Sequence, residues 1–259
     1  MPQRYVRIKT AREQIYYGLL QANRNVIVYD APPWLGGQAT DLEQEPDNYE
    51  LLAPCVPSKI VAVGKNYLKH AQEMGTPVPK EPLLFLKPPT TVIADGQNIH
   101  YPSQSQRVDY EGELALLIGN RCSHVNPEQA AKSIWGYTIA NDVTARDLQK
   151  KDGQWTRAKG FDTFCPLGPW IVREISIEAK VQTFLNNSDD PNQSGSIADM
   201  VFSPETLVSY ISEIMTLNPG DVVLTGTPEG IGPMQPGDNI RVEIEGIGCL
   251  SNQVEASHK

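Results

Sequence analysis

The stretch VDYEGELALLIG, Val108 to Gly119, sets two glutamates two positions apart at the head of an apolar run. Alternate side chains of a strand share a face, so the Glu111 and Glu113 carboxylates stand side by side, ~7 Å apart along the backbone. Like charges that close raise each other's pKa unless a cation lies between them. A solvated strand face accounts for the same pair, with Asp109, Glu111 and Glu113 outward and Tyr110, Leu114, Leu116 and Ile118 inward. A third oxygen ligand shifts that balance. Asp142 ends the apolar part of GYTIANDVTARDLQ, ahead of Arg146 and Gln149. By itself it reads as a helix N-cap. With the two glutamates it completes three carboxylates from two strand ends, the kind of oxygen set that holds Mg²⁺ or Mn²⁺ with positions left for water and substrate.

Positioning those groups takes a frame of strands. IVAVG, PLLFLK, ELALLIG, WIVREI, DVVLTG and IRVEIEG predict strands from about Ile60 onward, separated by Pro and Gly turns. Helical signals are fewer. NPEQAAKSIW opens with Asn126 as N-cap and Pro127 at the first helical position, and SPETLVSYISEIM does the same with Ser203 and Pro204. Ahead of these, YVRIKT, IYYGLL and NVIVYD predict a small strand-rich N-terminal domain over residues 1–56, ending at the prolines of LLAPCVPSK; residues 57–259 form the larger domain. Twenty-one prolines among 259 residues, above the usual ~5%, fit an α+β, predominantly β architecture rather than a helical bundle.

Composition excludes several classes. With 22 basic and 31 acidic residues the net charge is −9 and no basic stripe occurs, which argues against a nucleic acid or an anionic membrane surface as partner. No apolar run approaches the ~18 residues a bilayer span needs. The start, MPQRYVRIKTAREQ, lacks the apolar segment of a secretory signal, and Cys55, Cys122, Cys165 and Cys249 form no CxxC pair; both fit a cytoplasmic protein with reduced thiols. Four histidines without paired cysteines argue against structural zinc. VAVGKNY fails as a phosphate loop, because Lys59 stands where glycine is needed and Asn66 where Ser or Thr is needed. GTPEGIG fails as a dinucleotide fingerprint at Pro228 and Gln235.

Taken together, GKNYLKHAQEMG, FLKPPTTVI, DYEGELALLIG, GYTIANDVTARDLQKKDGQWTRAKGFDTFCPLGPW and LNPGDVVLTGTPEGIGPMQPGDNIRVEIEGIG resemble, in family order, the fumarylacetoacetate hydrolase family over residues 57–256. The N-terminal strands resemble the small extra domain of its longer bacterial-type members. The resemblance implies a mixed β-roll or β-sandwich with a few short helices, a homodimer, and a divalent metal on Glu111, Glu113 and Asp142. It further implies that His70 and Glu73 form a dyad on a lid, the glutamate orienting the histidine to activate water or move a proton; their i, i+3 spacing puts them on one helix face. Lys159 matches a lysine held near the metal, where its charge stabilises an enolate. Arg146 and Gln149 match substrate-contacting positions, although Arg146 taken unaided reads as an i, i+4 ion-pair partner of Asp142. Thr227 matches the loop for the substrate carboxylate, while Tyr67 and Lys87 read as pocket lining or packing. FLNNSDDPNQSGSIADMVF departs from the family pattern: Asn187 follows Asn186 where relatives carry Asn-Gly, and Ile197 precedes Ala198-Asp199-Met200, which leaves that pocket wall and the substrate open.

The expected chemistry is that of a small 2-oxo acid chelated through carboxylate and carbonyl, with an enolate as shared intermediate. Oxaloacetate decarboxylation or tautomerisation and carbon–carbon hydrolysis of an acylpyruvate lead. The alternative is isomerisation of a 2-hydroxyhepta-2,4-diene-1,7-dioate or 5-carboxymethyl-2-hydroxymuconate type of substrate. A catalytically silent metal- and carboxylate-binding protein is the reading from a different class.

Overall fold

The computed structural model describes residues 2–73, 75 and 77–257. Strand predominates, at 41% against 19% helix. One large sheet runs in the order Ala39–Gln44, Val26–Tyr29, Ile15–Leu20, Arg4–Thr10, Cys165–Val172, Ile134–Asn141, Gly112–Ile118, Val222–Leu224, Ile60–Gly64, Leu83–Lys87. The N-terminal strands therefore extend this sheet, joined to it where Tyr5 pairs with Ile171. Edge-to-face contacts of Tyr5 and Trp34 with Trp135 bind the same seam. A three-stranded sheet is formed by Thr144–Ala145, Val108–Tyr110 and Gly232–Met234, and a five-stranded one by Gln193–Ser196, Lys180–Leu185, Asn239–Ile244, Gly248–Ala256 and Ile99–Tyr101.

Gly112–Ile118 is buried along its whole length, which is why ELALLI reads as nearly unbroken apolar sequence. Leu114, Leu116 and Ile118 enter one core cluster, whereas Ala115 and Leu117 enter another on the opposite face. Each fully buried leucine contributes ~1.5–3 kcal/mol, so the strand that carries Glu113 is anchored from both sides. The predicted helix starts hold. Asn126 caps Pro127–Ser133 in a reciprocal capping box with Gln129, and Ser203 caps Pro204–Ile214. No helix among the described residues is long and apolar enough to cross a membrane.

Two local expectations fail. Asp109, Glu111 and Glu113 are buried, not a solvated face. The strand also breaks at Glu111: Val108–Tyr110 belongs to the three-stranded sheet and Gly112–Ile118 to the large one.

Candidate active site

That change of sheet aims the first carboxylate. The Glu111 N–H donates to Asn141 Oδ1 at 2.9 Å, and the Asp142 N–H returns a bond to Glu111 O at 2.8 Å. Gly112 pairs with Asn141 in the adjoining ladder, so register alone brings Asp142 beside the glutamates. The residue between the glutamates has no room for a side chain: a Cβ at Gly112 would lie 2.2 Å from Thr183 Oγ1 and 2.9 Å from Val242 Cγ1. Glu113 Oε2 accepts the Gly226 N–H at 2.8 Å. Glu111, Glu113 and Asp142 are at most 5% exposed, and one ligand oxygen from each lies within 4.8 Å of the others.

Buried cations surround the set. Lys159 Nζ donates to Glu111 Oε2 at 2.8 Å and to Asp142 Oδ2 at 2.5 Å. Lys87 Nζ donates to Asp142 Oδ1 at 2.6 Å and to Val143 O at 3.3 Å. Arg146 reaches Asp109 Oδ2 through Nε at 2.8 Å, Gln149 Oε1 through Nη1 at 2.6 Å, and Glu111 Oε1 through Nη2. The i, i+4 pair with Asp142 is thus replaced by longer-range partners, because Asp142 turns toward the two lysines. Nor is Asp142 a helix cap, since Ala145 holds that place before Arg146–Asp152.

The environment splits the three acids. Burial alone would raise Glu111, but Lys159, Arg146 and His70 outweigh it and hold the carboxyl well below its usual range. Burial, then Asp142 and Glu111, push Glu113 well above its usual value. Burial would lower Lys159 and Arg146, yet the facing carboxylates more than reverse that and keep both charged. Glu113 is therefore the member with most to gain from a cation. Three buried carboxylates, all oxygen and none shared with sulfur or imidazole, fit a hard divalent ion.

The helix Leu68–Glu73 carries His70 over this cleft. His70 Nδ1 pairs with Glu73 Oε2 at 3.1 Å, and Glu73 Oε1 accepts the Gly230 N–H at 3.1 Å. The glutamate thus ties the helix to the loop that also holds Thr227. Thr227 Oγ1 donates to Gly112 O and accepts from Gln193 Nε2, both at 2.8 Å. His70, Arg146, Gln149, Lys159 and Thr227 line the cleft along with the three carboxylates. Glu73 and Lys87 act from behind, through His70 and Asp142. Tyr67 stands apart from that lining, 1% exposed, its hydroxyl without a hydrogen-bond partner among the described residues and driven above its ordinary pKa by burial and then Glu113.

Sequence reading missed two groups that fix this geometry. Asp109, fully buried, accepts from Arg107 and Arg146 and so orients the guanidinium on Glu111. Its spacing from Glu111 and Glu113 was the available signal. Gln193 accepts the Gly112 N–H at 3.0 Å and donates to Thr227 and to Pro228 O, bracing the Glu-Gly-Glu backbone against the Thr227 loop. Nothing local in sequence marks that role.

A family model described as "Fumarylacetoacetate (FAA) hydrolase C-terminal" matches residues 59–255, and one described as "Rv2993c-like, N-terminal" matches residues 3–54. The oxaloacetate tautomerase YisK of Bacillus subtilis is 43% identical over 213 residues, 76% of this chain and 70% of that protein. The crystal structure of 2-hydroxyhepta-2,4-diene-1,7-dioate isomerase from Mycobacterium marinum superposes with a TM-score of 0.90 at 39% identity, covering 99% of this chain and 100% of that one. Fumarylpyruvate hydrolase from Pseudomonas aeruginosa, in complex with Mn²⁺ and pyruvate, superposes with a TM-score of 0.73 at 33% identity over 80% of this chain and 92% of that one.

Proposed function

The chain belongs to the fumarylacetoacetate hydrolase family, and on that footing we propose that it is a Mg²⁺- or Mn²⁺-dependent enzyme of small 2-oxo acids, with keto–enol tautomerisation of oxaloacetate as the leading reaction. The observation that carries this reading is the convergence of Glu111, Glu113 and Asp142 on one cleft shared with His70. These three carboxylates would hold the ion, which when bound supplies Lewis-acid polarisation of the substrate's 2-oxo carbonyl. Lys159, charged and dry, stabilises negative charge developing on the substrate as it becomes an enolate. Arg146 and Gln149, already bonded to one another, present N–H donors that orient a substrate carboxylate. His70, held by Glu73, moves the proton between the substrate carbon and solvent.

Tautomerisation needs only that proton transfer. Hydrolysis of an acylpyruvate is the second reading, favoured by the pairing of buried His70 with Glu73, which can equally activate a water. The silent binding protein is disfavoured by the retention of His70, Glu73 and Lys159 around the carboxylates. We read residues 1–56 as an appended unit, a division supported by two family matches that meet between residues 54 and 59. Purified protein assayed with Mg²⁺ or Mn²⁺ against enol-oxaloacetate, oxaloacetate and acetylpyruvate tests the reading; no metal-dependent turnover of any 2-oxo acid refutes it.

A further inference from the structure

We infer that Lys65 forms a subsite for a second, distal carboxylate, so that the cleft selects dicarboxylic over monocarboxylic 2-oxo acids; the inference rests on the 2-oxo acid reading above. Lys65 follows the strand Ile60–Gly64 and lines the same cleft as the three carboxylates. Its backbone lies in the left-handed region, with φ 60°. Glycine adopts that conformation freely, whereas a lysine there is strained. The neighbouring residue enforces the bend. Asn66 is fully buried, its Nδ2 donating to Phe202 O at 3.0 Å and Thr225 O at 2.8 Å while its Oδ1 accepts the Phe202 N–H at 2.8 Å. A strained residue held this firmly beside a reactive cluster points to a use for its side chain.

Charge identifies the use. Lys159 and Arg146, which also line the cleft, already face the carboxylates of Glu111, Asp142 and Asp109. Lys65 has no anionic partner among the described residues, although it is half-buried. Trp155 packs over Gly64, where an added Cβ would come within 2.9 Å of the indole, and its ring meets Phe85 at 5.1 Å. The cleft beside Lys65 is thus walled by aromatic rings, which reduce the water available to an unpaired ammonium. An incoming carboxylate supplies the missing partner.

The test compares oxaloacetate with 2-oxobutyrate, which has the same chain length but a methyl group in place of the distal carboxylate. Lys65→Met should raise the KM for oxaloacetate about tenfold, the size of one lost charge-assisted hydrogen bond, while the inhibition constant of 2-oxobutyrate stays within twofold. Lys65→Arg should retain the discrimination. Lys65→Gly, which relieves the backbone, should lose the discrimination while melting no lower than wild type, separating recognition from folding. If wild type turns over oxaloacetate but Lys65→Met shifts both constants alike, or neither, the subsite is refuted; if wild type turns over no 2-oxo acid, the functional reading itself falls.

Discussion

Replacing Glu113 with glutamine removes one negative charge from the buried set but keeps an oxygen for the Gly226 N–H, so packing is preserved while electrostatics change. In the metal-free protein Glu113 faces Asp142 and Glu111 with ligand oxygens within 4.8 Å. At such a separation two unit charges repel by ~3.5 kcal/mol at an effective dielectric of about 20. Protonation limits the penalty, because neutralising a carboxyl of ordinary pKa 4.5 at neutral pH costs about 3 kcal/mol. Glu113→Gln should therefore melt about 6–12 °C above wild type in EDTA at pH 7–8, at roughly 2–4 °C per kcal/mol. The sign with pH follows from the raised folded-state pKa. Wild type suffers no deficit below the unfolded value and loses stability as pH rises toward the folded one, so the gap between the variants narrows toward pH 5 and widens toward pH 8. Mn²⁺ at about 100 times its Kd should then stabilise wild type by ~2.7 kcal/mol and the variant hardly at all. Scanning calorimetry with and without Mn²⁺ reads both effects. Equal melting of the two proteins in EDTA at pH 8, or an undiminished Mn²⁺ shift in Glu113→Gln, refutes the ligand set and its electrostatics.

His70→Asn should lower kcat by ~10²–10⁴-fold with Mn²⁺ affinity intact by titration calorimetry; full activity would remove the dyad from the mechanism. Gly112→Ala drives a methyl onto Thr183 Oγ1 and should cost ~1–3 kcal/mol of stability and weaken Mn²⁺ binding at least tenfold, so wild-type values in both would break the link between that close contact and carboxylate placement. Asn126→Ala removes the capping box of Pro127–Ser133 and should cost ~1 kcal/mol, seen as a small drop in Tm with unchanged steady-state kinetics.

Local chemistry was legible in the chain wherever short-range rules govern it. Asn126 and Ser203 announced helix starts because capping involves residues within one turn, and both caps form. ELALLI announced a strand because its apolar residues run nearly unbroken, and the strand forms there, buried along its length. The Glu-x-Glu spacing raised the cation question, and the motifs shared with a family pointed to Asp142 as the third carboxylate, which the fold brings within 4.8 Å of the other two.

What stayed hidden depends on register between segments distant in the chain. Arg146 passes over the acid one helical turn away for Asp109 and Glu111, because the ladder that pairs Gly112 with Asn141 turns Asp142 toward Lys87 and Lys159. Lys87 reads as packing until the edge strand Leu83–Lys87 is seen to lay its ammonium on Asp142. That the N-terminal strands join the large sheet, where Tyr5 pairs with Ile171, was equally hidden, since an edge strand carries no mark of which sheet it will join. The sequence by itself determined which groups this protein has for its chemistry and which elements carry them. Only the tertiary structure decided which cation faces which carboxylate and left Lys65 at the cleft without an anionic partner among the described residues, because a pairing energy depends on distance and burial, and both are set by contacts between segments far apart in the chain.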